Sequence, residues 1–406
     1  MSKEKNPASM IRNWLIFFIM VIIVIGVLVF VERPRIELTC ASSHQVRSLQ
    51  FSPDGAVIAS GGGEGVIKLW DMKTGACIRS LREHKGSVKA LDYSSDGRYL
   101  ASAGEDRVVR LWDAISYKCI RMLKGHTSTV NSLSFSKDGA YCASGSSDGT
   151  IRVWESATGK SLRSLKAYEG CGVNTVSFSG DGRYIASAEE SGFFKTGGVS
   201  LWNWRTGKVA EVFGKPSAFS DDQSSSDAAL FSPDGRYIAA WTRWGSYMVI
   251  LDSQNGSLIR RWGSSEFTGF LSACLSQKSN LVAISGEGKG ICVWKAGSGE
   301  SVSTSKDSSY LAECLCFSPG AEFIASGDGS GIRIWDVRSG KLLILIAAFD
   351  ENEWACWTPD ARYHCSSAAE QRLLISFRHF KKSASSLSAL LNDPDIMKKR
   401  LKTGGR

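Results

Sequence analysis

Residues 145–149, Gly-Ser-Ser-Asp-Gly, fit the G-x-S-x-G spacing that exposes a serine nucleophile for acyl transfer when it lies on a strand-to-helix turn. Here the pentapeptide sits between CAS and IRVW, two short alternating stretches, and reads as a tight turn between strands. The five histidines are His44, His84, His126, His364 and His379, and none has the spacing of a metal-ligand pair. The eleven cysteines contain no C-x-x-C, and the chain has no P-loop. His364 fills a slot held elsewhere by Ile58, Leu100, Ile185 and Ile324, as expected of a core or groove residue. No catalytic residue, metal ligand or cofactor is expected, and the chain does not read as an enzyme.

The elements around these residues repeat. A decapeptide recurs as FSPDGAVIAS at 51, YSSDGRYLAS at 93, FSKDGAYCAS at 135, FSGDGRYIAS at 178 and FSPDGRYIAA at 231. Weaker copies follow as LSQKSNLVAI at 275, FSPGAEFIAS at 317 and WTPDARYHCS at 357. After most copies comes a second apolar strand ending at Trp70, Trp112, Trp154, Trp202, Trp294 or Trp335, and then a turn such as Thr74-Gly75 or Thr158-Gly159. Ser-x-Asp-Gly supplies a side-chain acceptor and a glycine free to take positive φ, so it turns the chain between two strands. A unit of roughly 40–45 residues with four short strands cannot bury both of its faces alone, so the units must stack around an axis.

These residues resemble the WD40-repeat family over about 36–378. In that family a His, a Ser, an Asp and a Trp form a hydrogen-bonded structural relay. The resemblance assigns it to His84, Ser102, Asp106 and Trp112, and to His126, Ser144, Asp148 and Trp154. It assigns it also to His44, Ser60, Glu64 and Trp70, with Glu in place of Asp. Later units lack the His, and their blades are expected to rest on packing and turns. Ile36, Leu38 and Cys40 alternate like an outer strand with no unit before it, while the eighth unit has three strands and no fourth. Residues 36–41 are therefore predicted to complete the last blade of an all-β, eight-bladed β-propeller. The alternative is seven blades with 351–378 docked outside.

Outside the propeller, Trp14–Val31 is eighteen residues without a charge, about 27 Å of helix at 1.5 Å per residue. It predicts an uncleaved transmembrane helix after a short basic tail, 1–13. Residues 1–35 carry five Lys/Arg against two Glu, and 378–406 carry eight against two Asp, so the net +9 lies at the ends and the body is neutral. That distribution favours a membrane surface over nucleic acid. Lys381, Lys382, Lys398, Lys399, Arg400 and Lys402 of the basic C-terminal tail, 379–406, are placed to meet anionic lipid. A single-pass protein of the cell (inner) membrane is expected. Lys3, Lys5 and Arg12 before the span against Arg33 and Arg35 after it slightly favour an exported body, whereas the unpaired cysteines suit a reducing compartment.

Strand closure near the membrane directs the loops between second and third strands, and between successive units, away from it. The insertions lie there: EESGFFKTGG, KPSAFSDDQSSSD and WTRWGSY. They gather Phe193, Phe194, Lys195, Phe219, Trp241, Arg243, Trp244 and Tyr247 toward one patch. Aromatic and Arg side chains are the usual anchors of protein interfaces. The resemblance implies a non-catalytic scaffold for protein or peptide partners. The alternative is a propeller enzyme or small-ligand binder using the central channel, which needs convergent ionisable residues that the sequence does not display.

Overall fold

A computed structural model describes residues 37–39, 44–167, 171–189, 198–213, 228–241, 248–262, 270–276, 278–286, 290–305, 312–349, 353–359, 362–366, 369, 374–377, 380–383, 393, 395 and 401. The apolar run 14–31 lies outside them, and among the described residues no helix is long and apolar enough to cross a membrane.

The first seven repeats each form an antiparallel four-stranded blade. Blade one is Val46–Phe51, Val57–Gly62, Ile67–Asp71 and Cys77–Leu81; blade two is Val88–Tyr93, Tyr99–Gly104, Val109–Asp113 and Cys119–Leu123. The strands of blades three, four, five and six fall within 130–166, 173–213, 228–262 and 270–304, and the inner strand of each blade packs on that of the next. The Ser-x-Asp-Gly turns form as the sequence predicts: Ser94 Oγ donates to Asp96 (2.7 Å), Tyr99 N–H donates back to Ser94 Oγ (2.9 Å), and Gly97 takes φ +72°. In each hairpin of third and fourth strands the register slips beside the strand-ending Trp, or beside Leu251 in the fifth blade, as between Leu69 and Trp70 or Leu111 and Trp112. Such a bulge twists the outer strand away from the blade plane.

The ring closes at seven blades, not eight. Blade seven is Cys314–Phe317, Phe323–Asp328, Gly331–Asp336 and Leu342–Ala348, and its inner strand packs directly on the inner strand of blade one. The junction repeats the internal ones in detail. A Cβ on Gly61 would lie 2.7 Å from Val88, and one on Gly145 the same distance from Val173. At the closing junction Gly327 meets Val46 in the same way, at 2.4 Å. Arg47 and Glu313 pair across the seam, and the Phe51 N–H faces the Cys316 thiol. With every inner strand occupied, no gap is left for an eighth wedge.

The material of the eighth unit goes elsewhere. Trp354–Trp357 pairs with the outer strand of blade seven (Leu345 with Trp357, Ala348 with Trp354), and Tyr363–Cys365 pairs with it in turn. Cys356 Sγ reaches the Thr74 carbonyl of blade one at 3.8 Å, and Leu401 packs on the core cluster shared by blades seven and one. The predicted pairing of the first strand with the last does occur, Glu37–Thr39 against Leu374–Phe377, but in a separate three-stranded sheet with Phe380–Ser383.

Candidate interaction face

One face of the ring carries the connections between second and third strands and between blades; the other carries, among the described residues, tight turns. The three relays stand under the first face. In blade two the Trp112 Nε1–H donates to Ser102 Oγ (2.8 Å), Ser102 Oγ lies 2.7 Å from His84 Nε2, and His84 Nδ1 lies 3.0 Å from Asp106. Blade three repeats this with Trp154, Ser144, His126 and Asp148 at 2.9, 2.8 and 2.9 Å. Blade one uses Trp70 to Ser60 (2.8 Å), Ser60 to His44 (3.1 Å) and His44 to Glu64. Indole can only donate and carboxylate only accept, so the serine hydroxyl, with one proton and two lone pairs, accepts from the indole and bridges it to imidazole Nε2, while the carboxylate faces Nδ1.

Burial alone raises the Asp106 carboxyl, but the hydrogen bonds and charges of His84 and Arg110 outweigh it and hold it well below the usual carboxylate range. Burial likewise opposes ionisation of Asp148, which the Thr150 hydroxyl, the Thr127 N–H and His126 hold at about 2. Burial depresses His126 despite Asp148 beside it.

Ser102, His84 and Asp106 share the contacts of a hydrolase triad, yet they cannot act as one. Ser102 has no solvent exposure and its hydroxyl is held between the Trp112 indole and His84, so no substrate can reach it. GSSDG is a strand-to-strand turn, with Gly149 at φ +78° and its N–H on the Ser146 carbonyl at 3.1 Å. Among the described residues no group of His, Cys, Asp and Glu is arranged to hold a metal. His364 pairs opposite Cys356 on the edge strand and packs edge-on against Trp354 at 5.1 Å between ring centroids.

The sequence reading missed partial relays in blades that lack the His. Trp202 donates to Ser187 (2.9 Å), which lies 3.4 Å from the buried Glu189. Trp335 donates to Ser326 (2.8 Å), while Arg333 pairs with Asp328 and donates to Ser330 (2.8 Å). Serine in the decapeptide's last position together with the later Trp was the available signal. Also missed was an inner belt in which one blade's side chain accepts a backbone N–H from the next blade's inner strand. Asp92 accepts from Phe135 (2.7 Å), Ser134 from Phe178 and Ser177 from Phe231, both at 3.0 Å. Asp92 also takes Gln50 Nε2 at 3.0 Å, and burial pushes its carboxyl up to about 7.

Of the eight residues expected to form the aromatic patch, Trp241 is a correction. It is 6 % exposed, pairs with Ala228 and Met248, and packs among Phe270 and Ile284 in the junction of blades five and six. It occupies the slot held by Gly61, Gly145 and Gly327, which faces the next blade rather than solvent. Phe193, Phe194, Lys195, Phe219, Arg243, Trp244 and Tyr247 lie outside the described residues, as do Lys398, Lys399, Arg400 and Lys402.

The family description "WD domain, G-beta repeat" matches residues 34–71, 75–113, 117–155, 159–203 and 300–336, which fall on blades one to four and seven. The chain is also 39% identical over 46 residues to the Periodic tryptophan protein 2 homolog of Dictyostelium discoideum. That match covers 11% of this chain and 5% of the relative, so the likeness is about one repeat long. The repeats, the seven stacked blades and the three complete relays agree with the family match: the chain belongs to the WD40-repeat family.

Proposed function

We propose that the protein is a non-catalytic, membrane-tethered scaffold that binds protein or peptide partners through the loop-bearing face of its propeller. The observation that carries this is the asymmetry between the two faces. Successive described strands on the tight-turn face are joined by short turns such as 52–56 and 94–98, whereas on the other face the connections lengthen to 190–198 and 214–227. Long connections displayed on a rigid frame are the usual seat of binding residues. In blades one to three the same face is anchored by His–Ser–Trp relays that leave no reactive group exposed, which argues for display rather than chemistry.

The tether rests on the apolar run 14–31, which ends six residues before the strand Glu37–Thr39. That strand pairs with Leu374–Phe377, so the basic C-terminal tail starts beside it, within reach of an anionic lipid surface. The test replaces 190–197 and 242–247 with the short connection of blade two, purifies the variant from membranes and compares its co-purifying proteins with those of the parent. Loss of discrete partners with an unchanged melting temperature is expected. Full retention of every partner would overturn the assignment to this face.

A further inference from the structure

Blades splay at the rim, and between blades one and two the splay opens a groove of about 500 Å3. Its floor is Leu81 of the outer strand of blade one and the buried Trp112 with Cys119 of blade two. The Cys119 thiol is pushed up to about 11 by burial and by Glu83, so the floor stays neutral at physiological pH. The walls are cationic. Arg79, Arg82 and Lys118 are all exposed, and Arg79 Nη1 reaches the Ser116 carbonyl across the opening at 3.1 Å. The acidic residue among the lining groups, Glu83, is engaged by Arg110 (Nε to Oε2, 3.8 Å) and by Cys119. Arg110 Nε, itself buried, has no hydrogen-bond acceptor.

Large apolar side chains stand around this groove in contact with water. Met122 is 55% exposed, and it shares the face of Trp112 through its register with Arg110. Ile115, in the turn that Arg79 touches, is 86% exposed. Blade seven shows how this fold covers such an outer edge: its own chain adds the strand Trp354–Trp357 there. The edge of blade two has no such cover among the described residues.

We propose that the groove between blades one and two receives an extended acidic segment of another protein, with apolar residues alternating with carboxylates. Arg79, Arg82 and Lys118 supply charge complementarity, and the apolar residues seat against Met122, Ile115 and the Trp112 floor. In an extended strand successive side chains point to opposite sides, so alternation places carboxylates on the rim while apolar residues face the floor. This site lies on the rim, touching the loop-bearing face at Arg82 and Glu83, and its test does not depend on that face binding a partner.

The test selects short random peptides on the full-length protein in detergent, then measures the resynthesised winners by fluorescence anisotropy. Enrichment of acidic, apolar-alternating sequences is expected. Their affinity should fall about tenfold or more with Arg79→Glu/Arg82→Glu/Lys118→Glu, and should weaken with added salt. Lys118→Glu alone, a single exposed change, guards against a folding defect and should lower affinity at an unchanged melting temperature. Failure to enrich, winners without acidic residues, or equal affinity for parent and charge-reversed proteins would overturn the proposal.

Discussion

Ser102→Ala is a sharp perturbation because it removes one hydroxyl and strands two partners. Ser102 is fully buried, and its Oγ serves both Trp112 Nε1 at 2.8 Å and His84 Nε2 at 2.7 Å. Leaving a buried polar group unsatisfied costs about 1–3 kcal/mol, so two of them cost about 2–6 kcal/mol. Ser187→Ala in blade four is the internal reference. Its hydroxyl serves Trp202 at 2.9 Å and only a long 3.4 Å contact with Glu189, which sets its cost near 1–2 kcal/mol by the same rule. Urea unfolding followed by intrinsic fluorescence gives the global numbers, and amide exchange in the strand Val109–Asp113 gives the local ones. Ser144→Ala should match Ser102→Ala, since blade three repeats the geometry. Equal losses at Ser102 and Ser187, or a loss below about 0.5 kcal/mol at Ser102, would refute the reasoning that the relay holds the blade.

Other consequences are as direct. A Cβ on Gly104 would sit 1.9 Å from the Ser87 carbonyl oxygen, so Gly104→Ala should cost more than about 3 kcal/mol. Gly97→Ala meets open space and carries only the strain of φ +72°, about 1 kcal/mol; thermal melting separates the two. His126 is depressed by burial, so below its ordinary value of about 6.5 the unfolded chain binds the proton that the folded chain resists. Stability should fall as pH drops through that value, and His126→Gln should remove that slope from a pH series of urea curves. Asp92 behaves oppositely: its carboxyl is raised to about 7, so the folded state holds a proton that the unfolded state has lost. Its contribution should decline between about pH 4 and pH 7, by about 1–2 kcal/mol given its partial exposure. Asp92→Asn, which keeps an acceptor for Phe135, should flatten that decline.

The relay was legible because four residue types at fixed offsets leave few other ways to satisfy one another in a core, and the structure brings all twelve together. The number of blades was not legible. WTPDARYHCS has the alternation of a blade strand whether it founds a blade or adds to the edge of one, and the choice is made far away, where Gly327 admits Val46. Trp241 misled for a related reason. Aromatic residues beside a long loop read as an exposed patch, but its slot in the decapeptide frame, shared with Gly61, Gly145 and Gly327, faces the neighbouring blade. The rim groove left no mark in the repeat pattern, since Arg79 comes from blade one and Lys118 and Met122 from blade two, and they converge only when the two blades stack.

Site-specific photo-crosslinking in living cells tests the central claim most directly. Probes go at exposed positions of the loop-bearing face, Lys85, Arg107 and Thr127, and of the tight-turn face, Lys73, Lys137 and Arg183. The account predicts discrete adducts with defined proteins from the first set and none from the second. Adducts from the tight-turn positions with none from the loop-bearing face would contradict it.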